Sequence, residues 1–400
     1  MNLHWTAQFA ILSFAALEWA LGGYAMAPAA ERPRTPDVAA EQTAAQEWRL
    51  DGDRLLVTNL IGHVTVGSTT ESQIVVRARL GGANADALQV KVEEGSDAEL
   101  HVIFPLREHR NYVYPEMGQR SRTQFRGWDP RSRSGAIQRL FESLRDRRIE
   151  VRGRPWGDAI EAWADLEVLL PQGKAASVRL GVGRIDAAEV RSALDLDTRT
   201  GDVTARDITG DLSVDTGSGD VAAAVVRGNV NIDTGSGDVE AEGLEGRSVR
   251  IDTGSGDVTA RNVRATEVDI DTGSGSVDAT LVQASGLRID TGSGDVAASE
   301  ITTDAAEIDT GSGSVTLDLV AMGAGLYEVD TGSGRVRVTL PANPSARIRA
   351  STGSGGIDLD LPTAKITRLS RSHVALEVGD AAADVVIETG SGGILIRARS

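Results

Sequence analysis

The sequence predicts an all-β fold, a parallel β-solenoid (β-helix) of about eleven 18–21-residue turns, and three observations carry that expectation. A seven-residue phrase, Asp-Thr-Gly-Ser-Gly-Asp-Val, starts at Asp197, Asp215, Asp233, Asp252, Asp271, Asp290, Asp309 and Asp330, with weaker copies at Ser351 and Glu388. Its steps are 18 to 21 residues except for a last one of 37, close to two steps. A near-constant period of this size marks stacked turns rather than a set of separate sites. Finally, apolar residues alternate with polar ones on both sides of the phrase, as half-buried strands require.

Composition agrees with thin layers of small side chains. Glycine is frequent at 45 residues, aromatics make up only 4%, and Val, Ile, Leu and Ala supply most of the apolar share. The formal net charge of -17 favours solubility and disfavours nucleic acid as a partner. With no cysteine, disulfides, thiolate metal sites, cysteine nucleophiles and a cysteine-linked lipid anchor are excluded.

Residues 1–27 hold an apolar run ending in Ala25-Met26-Ala27, the small-x-small pattern of an export signal, although His4 stands where a Lys or Arg is usual. Residues 28–47 are rich in Ala, Pro, Glu and Thr and read as a flexible linker. Residues 48–106 read as an N-terminal β-strand region or cap, because Leu55 to Val66, Ile74 to Leu80, Leu88 to Val92 and Leu100 to Phe104 alternate.

Residues 107–165 break the pattern. Thirteen arginines face six acidic residues between Arg107 and Arg154, and Ile137, Leu140, Phe141 and Leu144 have the spacing of one helix face. This Arg-rich insertion is expected to be partly helical or disordered. Three roles stay open for it: a solvated loop, a clamp on the chain's own acidic columns, or a contact for an anionic partner through Arg120, Arg122, Arg126, Arg131 and Arg133.

Residues 166–400 are the β-solenoid repeat domain. Counting the phrase's first Asp as position 0, the sixth residue after it is Val203, Val221, Val239, Val258, Val277, Val296, Val315 and Val336, and the eleventh is Ile208, Val226, Leu244 and Val263 in the early copies. Three inward-facing segments per turn follow, with Thr turned inward and both Asp columns outward. Position 8 changes from Ala to Leu317, Val338 and Leu359 where the step lengthens, so a wider C-terminal end is expected. The glycines are expected to allow positive φ at a tight corner, the stretch from Ile366 to Asp384 to be irregular, and Arg397 and Arg399 to place charge at the open end.

Asp-Thr-Gly-Ser is also the active-site phrase of aspartic proteases, but those need two copies converging on one cleft, and a constant step lines up many along an edge. No catalytic residue is assigned. The outward carboxylates Asp215, Asp220, Asp233, Asp238, Asp252, Asp257, Asp290 and Asp295 are the candidate cation ligands, with Ca²⁺ the cation such oxygens would take. The pattern is similar to the calcium-binding Gly-Gly-x-Gly-x-Asp repeat, yet the phrase occurs once per turn and Ser276, Ser314 and Arg335 interrupt the second column.

With Asp-Thr-Gly-Ser-Gly-Asp-Val stacking between alternating strands, after an opening pair from Val57 to Val66, the chain resembles the bacterial putative-adhesin family, a family of unknown function built from β-strand repeats. The likeness covers roughly residues 50–105 and 166–400 and leaves out the insertion. It implies a non-enzymatic, exported or cell-envelope protein in the periplasm, at the surface or outside the cell. Its partner would be an envelope or extracellular polymer or protein, or a second copy of itself, with peripheral membrane contact through the insertion. Two other readings remain: a calcium-binding repeat protein, and a carbohydrate-active β-helix enzyme, disfavoured because Tyr327 is the only aromatic between Asp197 and Ser400.

Overall fold

In the computed structural model, residues 45–126, 147–361 and 364–399 are described. They form a parallel β-solenoid. Each turn has a leading segment, which carries the phrase's Asp-Thr, and a trailing segment, which begins at its Val; in Val277–Thr291 and Val296–Thr310 the trailing segment runs on without a break into the next leading one. Leading strands such as Leu212–Thr216, Val230–Thr234 and Ser248–Thr253 pair in parallel register, Asp on Asp and Thr on Thr. Trailing strands such as Val221–Arg227 and Val239–Glu245 stack likewise, Val on Val and Ala on Ala. Alternation therefore builds one continuous core of Val, Ile, Leu and Ala columns.

The second and third inward segments are one strand with a bend. The tenth residue after position 0 takes a left-handed conformation in seven successive turns: Glu189, Asp207, Val225, Gly243, Asn262, Leu281 and Glu300, with φ between 53° and 66°. Such a conformation crowds Cβ against the following carbonyl and costs about 1–2 kcal/mol outside Gly, with Asn and Asp the best tolerated. Val225 and Leu281 carry this strain on exposed side chains. Val225→Asn is accordingly expected to raise stability by about 1 kcal/mol in urea denaturation.

Chain order and stack order differ at both ends. At the C-terminus, Ala383–Thr389 lies between Leu326–Thr331 and Ala346–Thr352, and Ile394–Ala398 lies between Val336–Leu340 and Ile357–Asp360. The 37-residue step is thus a return of the chain, which slots its last turn one rank inward. At the N-terminus, Arg54–Ile61 lies between Ala175–Val182 and Asp97–Ile103, and Val64–Thr69 between Ile185–Ala188 and Trp163–Pro171. Antiparallel strands close the stacks: Gln89–Glu93, Ile74–Gly81 and Gln46–Leu50 at one end, His373–Val378 and Lys365–Leu369 at the other.

Two expectations are corrected by this arrangement. The stretch from Ile366 to Asp384 is largely strand, because Ile366 and Leu376 pair in an antiparallel hairpin on Ala346–Thr352. Arg397 and Arg399 do not guard an open end; their strand is interior, where Arg397 Nε donates to Thr339 Oγ1 at 3.0 Å and Arg399 pairs with Asp318 at 2.9 Å. Among the described residues the exposed edges at this end are Ile357–Asp360, which pairs on one side only and carries Asp358 and Asp360, and Lys365–Leu369, where Lys365 and Arg368 supply the charge that blunts it.

The insertion leaves after Asp97–Ile103, a leading strand, and returns at Trp163–Pro171, a trailing one. It therefore takes the place that the phrase corner holds in later turns. Its described part is built around a second sheet, ordered Ile160–Glu161, Asn111–Val113, Arg148–Arg152, Arg122–Arg126, with loops and one 3-10 turn at Pro115–Met117 between the strands. The aromatics explain why it folds: Tyr112, Tyr114 and Phe125 are buried with Ile149 and Val151, and Phe104 meets Tyr112 edge-on at 5.7 Å. The helix-spaced residues Ile137 to Leu144 lie outside the described residues.

Candidate functional site: the outward columns of the leading strands

The corner phrase is built from hydrogen bonds between turns. Each inward Thr hydroxyl donates to a Gly carbonyl of the turn before, as Thr272 Oγ1 does to Gly256 O at 3.0 Å and Thr291 Oγ1 to Gly275 O at 2.9 Å. The glycine after Ser has two reasons to be Gly. At Gly219 and Gly237, φ is 153° and 151°. At Gly256, Gly275, Gly294 and Gly313 positive φ is not the reason; a Cβ would fall inside van der Waals distance of the stacked glycine's carbonyl oxygen.

The second Asp column satisfies itself. The amide of Asp238 donates to Asp220 Oδ1 at 3.0 Å, that of Asp257 to Asp238 Oδ1 at 2.9 Å, and that of Ser276 to Asp257 Oδ1 at 2.7 Å. Ser314 donates in the same way to Asp295 Oδ1 at 2.7 Å. Charge-assisted bonds of this kind offset the repulsion between like carboxylates one strand spacing apart. Serine can replace Asp in such a chain because its backbone amide still donates.

In the first column Asp215, Asp233, Asp252, Asp271, Asp290, Asp309 and Asp330 stand in register. Arginines one column over offset them. Arg250 lies 3.5 Å from Asp252 and 3.9 Å from Asp269; Arg288 lies 3.1 Å from Asp290, 3.9 Å from Asp269 and 3.7 Å from Glu307. Partial burial, and then the charges of Asp252 and Asp290, raise the Asp271 pKa; burial, Asp290 and Asp330 do the same for Asp309.

The sign follows from linkage. A carboxyl whose folded pKa lies above its unfolded value lowers stability while ionised, and that loss is relieved as pH falls through the raised pKa toward the ordinary value near 3.8. Asp271→Asn should therefore melt higher than the native chain at pH 7, with the advantage shrinking toward pH 4 and at high salt. Among the described residues, no group of three His, Asp or Glu side chains is placed to hold a metal ion.

Of the arginines singled out, Arg122 and Arg126 are exposed on the second sheet and Arg120 is exposed in the turn that leads into it; Arg122 pairs with Glu150 at 3.0 Å. Arg131 and Arg133 lie outside the described residues. The sheet meets the solenoid at the corner of the Asp197 turn, where Thr123 and Thr200 hydroxyls bond at 3.0 Å and Arg199 covers the Phe125 ring at 5.8 Å.

Reading the phrase alone misses how the first column continues beyond it. In register, Asp197 is followed by Arg179, Thr58 and His101. Arg179, only 8% exposed, pairs with Asp195 and Asp197, each at 2.5 Å, while its Nε has no partner. Thr58 Oγ1 lies 2.8 Å from His101 Nδ1, and His101 Nε2 lies 2.9 Å from Glu99 Oε2; all three residues are buried. Burial pushes the His101 pKa down against the pull of Glu99. Extending the repeat alignment N-terminally places Thr58 and Arg179 in this column, so the signal was present.

No helix among the described residues is long and apolar enough to cross a membrane. Among curated proteins none matches the chain. Two solved structures resemble it weakly: a "putative cell adhesion protein" from Clostridium sporogenes ATCC 15579 and a "putative adhesin" from Bacteroides fragilis NCTC 9343. The first is 11% identical, with a TM-score of 0.19 over 89% of this chain and 99% of that one. The second is 9% identical, with a TM-score of 0.28 over 89% and 97%. At these values neither likeness bears on function. The repeat itself is decisive: the Toastrack DUF4097 model matches residues 164–326 and 229–397, more than half of the sequence, and the chain belongs to that family.

Proposed function

We propose that this protein is an exported, non-enzymatic β-solenoid that serves at the cell envelope as an adhesive or structural rod. The observation that carries this reading is the unbroken register of the leading strands from turn to turn, which makes one long, stiff surface with outward side chains repeated at each strand spacing, about 4.8 Å. Such a surface suits an extended partner better than a small substrate. The apolar run at residues 9–27 supports export, and the net charge of -17 disfavours nucleic acid.

Cell fractionation with sequencing of the mature N-terminus tests the proposal. A cleaved chain outside the cytoplasm is expected, and an intact Met1 in the cytoplasm would overturn it. The corner carboxylates are proposed to be solvated and hydrogen-bonded rather than to be calcium ligands. Calorimetric titration with calcium should then give no heat, and chelator should leave the melting temperature unchanged.

A further inference from the structure

We infer that the N-terminal half of the leading-strand face binds an uncharged glycan chain in a groove of about 530 Å³. The groove crosses the strands, running along the stack from the rank of Glu99 to that of Arg250. Its floor is made by a break in a charged column. In register, the outward position two residues before the phrase is Ser177, Asp195, Ser213, Asn231 and Arg250, and beyond them Asp269, Arg288, Glu307 and Glu328. Small side chains in the first ranks leave the hollow open. Where the same column holds Arg288, Glu307 and Glu328, the hollow shrinks to about 280 Å³.

The lining specifies the ligand class. Three guanidinium groups and four carboxylates are close to balance, which favours neither a polyanion nor a polycation. Between them lie hydroxyl and amide groups, which donate and accept as vicinal sugar hydroxyls do. Ser213 and Asn231 point outward from adjacent ranks, about 4.8 Å apart, and Leu56, Ala175 and Ala193 are the apolar side chains open to the groove for the C–H faces of sugar rings. Arg179 is a built element of this wall: nine-tenths buried, it is fixed by Asp195 and Asp197 and keeps an unpartnered Nε. A peptide would find no free strand edge here, since every strand under the groove is paired on both sides except at the stack's ends. Six strand spacings separate the ranks of Glu99 and Arg250, about 29 Å, room for several sugars in line.

This inference deepens the adhesive role by naming a ligand, and it rests on that reading only for its biological setting. The test uses the full purified chain, with hexasaccharides of β-linked glucose and of N-acetylglucosamine as uncharged probes and hexagalacturonate as the charged one. The variant is Ser213→Arg with Asn231→Glu. It fills the groove with the side chains that Arg288 and Glu307 already present in the same column, so the fold tolerates it. Binding of an uncharged probe by the native chain, weakened about tenfold or more in the variant with an unchanged melting curve, is the expected result. Three results would each overturn the inference: no probe binds, hexagalacturonate binds as tightly as the uncharged probes, or the variant binds like the native chain. Fractionation reads export separately. An exported chain that binds no glycan loses the ligand alone, and a cytoplasmic chain that binds one loses the envelope role alone.

Discussion

Gly275→Ala is expected to destabilise the solenoid by about 3 kcal/mol, far beyond a helix-propensity or surface effect. The added Cβ would meet the carbonyl oxygen of Gly256 in the turn below, and backbone cannot swing aside as a side chain can. That turn is fixed in place, because Thr272 and Thr291 bond to the carbonyls of Gly256 and Gly275. Relief would require two ranks to part, breaking bonds on both sides of the corner. The control lies in a nearby turn: Gly243 has φ 66°, and the atom nearest to where an added methyl would stand is 3.7 Å away, so Gly243→Ala meets only the left-handed penalty of about 1 kcal/mol. Urea denaturation of both variants separates crowding from conformational preference. Equal losses would show that the two ranks part easily enough to take up the added methyl, and that crowding at the corner is not what requires glycine there.

The contrast between these two glycines also shows what the sequence could reveal. The corner was legible because one phrase marks it in every turn, and alternation then placed Val203 to Val336 and the Thr residues inside. The second bend was not legible. Its left-handed residue is Glu, Asp, Val, Gly, Asn, Leu or Glu in successive turns, and no residue type announces it. Each turn absorbs the strain through its pairing above and below, so selection leaves no compositional mark.

The insertion hides its sheet for a related reason. Thirteen arginines dominate its composition, while the few aromatics that build the sheet, Tyr112, Tyr114 and Phe125, are scattered. A sheet assembled from strands as short as Asn111–Val113 and Ile160–Glu161 has no period to detect. The groove was hidden because Ser213 and Asn231 look like ordinary strand polar positions. They gain meaning only when register sets them beside Arg250 and Arg179.

Stack order at the C-terminus leads to the second large effect, in which a short deletion does more damage than a longer one. Removing residues 383–400 takes out the turn formed by Ala383–Thr389 and Ile394–Ala398, which lies beneath the outermost rank. Val385, Ile387, Ile394 and Ile396 are all buried, and their loss forfeits about 6 kcal/mol or more of apolar burial. The damage spreads further, because Ala346–Thr352 and Ile357–Asp360 lose their only parallel neighbours, and the hairpin of His373–Val378 and Lys365–Leu369 hangs on the first of these. Residues 346–378 should then become sensitive to protease while the rest of the solenoid melts separately. Removing 346–400 instead ends the stack cleanly at Leu326–Thr331 and Val336–Leu340, leaving every remaining turn with its native lower neighbour. Solenoid stability is close to a sum of turn and interface terms, so this longer deletion should keep a single transition and a protease-resistant core. Its new edge exposes paired-strand backbone, and some self-association is expected from it. Limited proteolysis followed by mass measurement decides the matter. If residues 346–378 stay protected in the shorter deletion, the outer rank has re-paired directly with Leu326–Thr331, and the inward turn is a spacer rather than a lock.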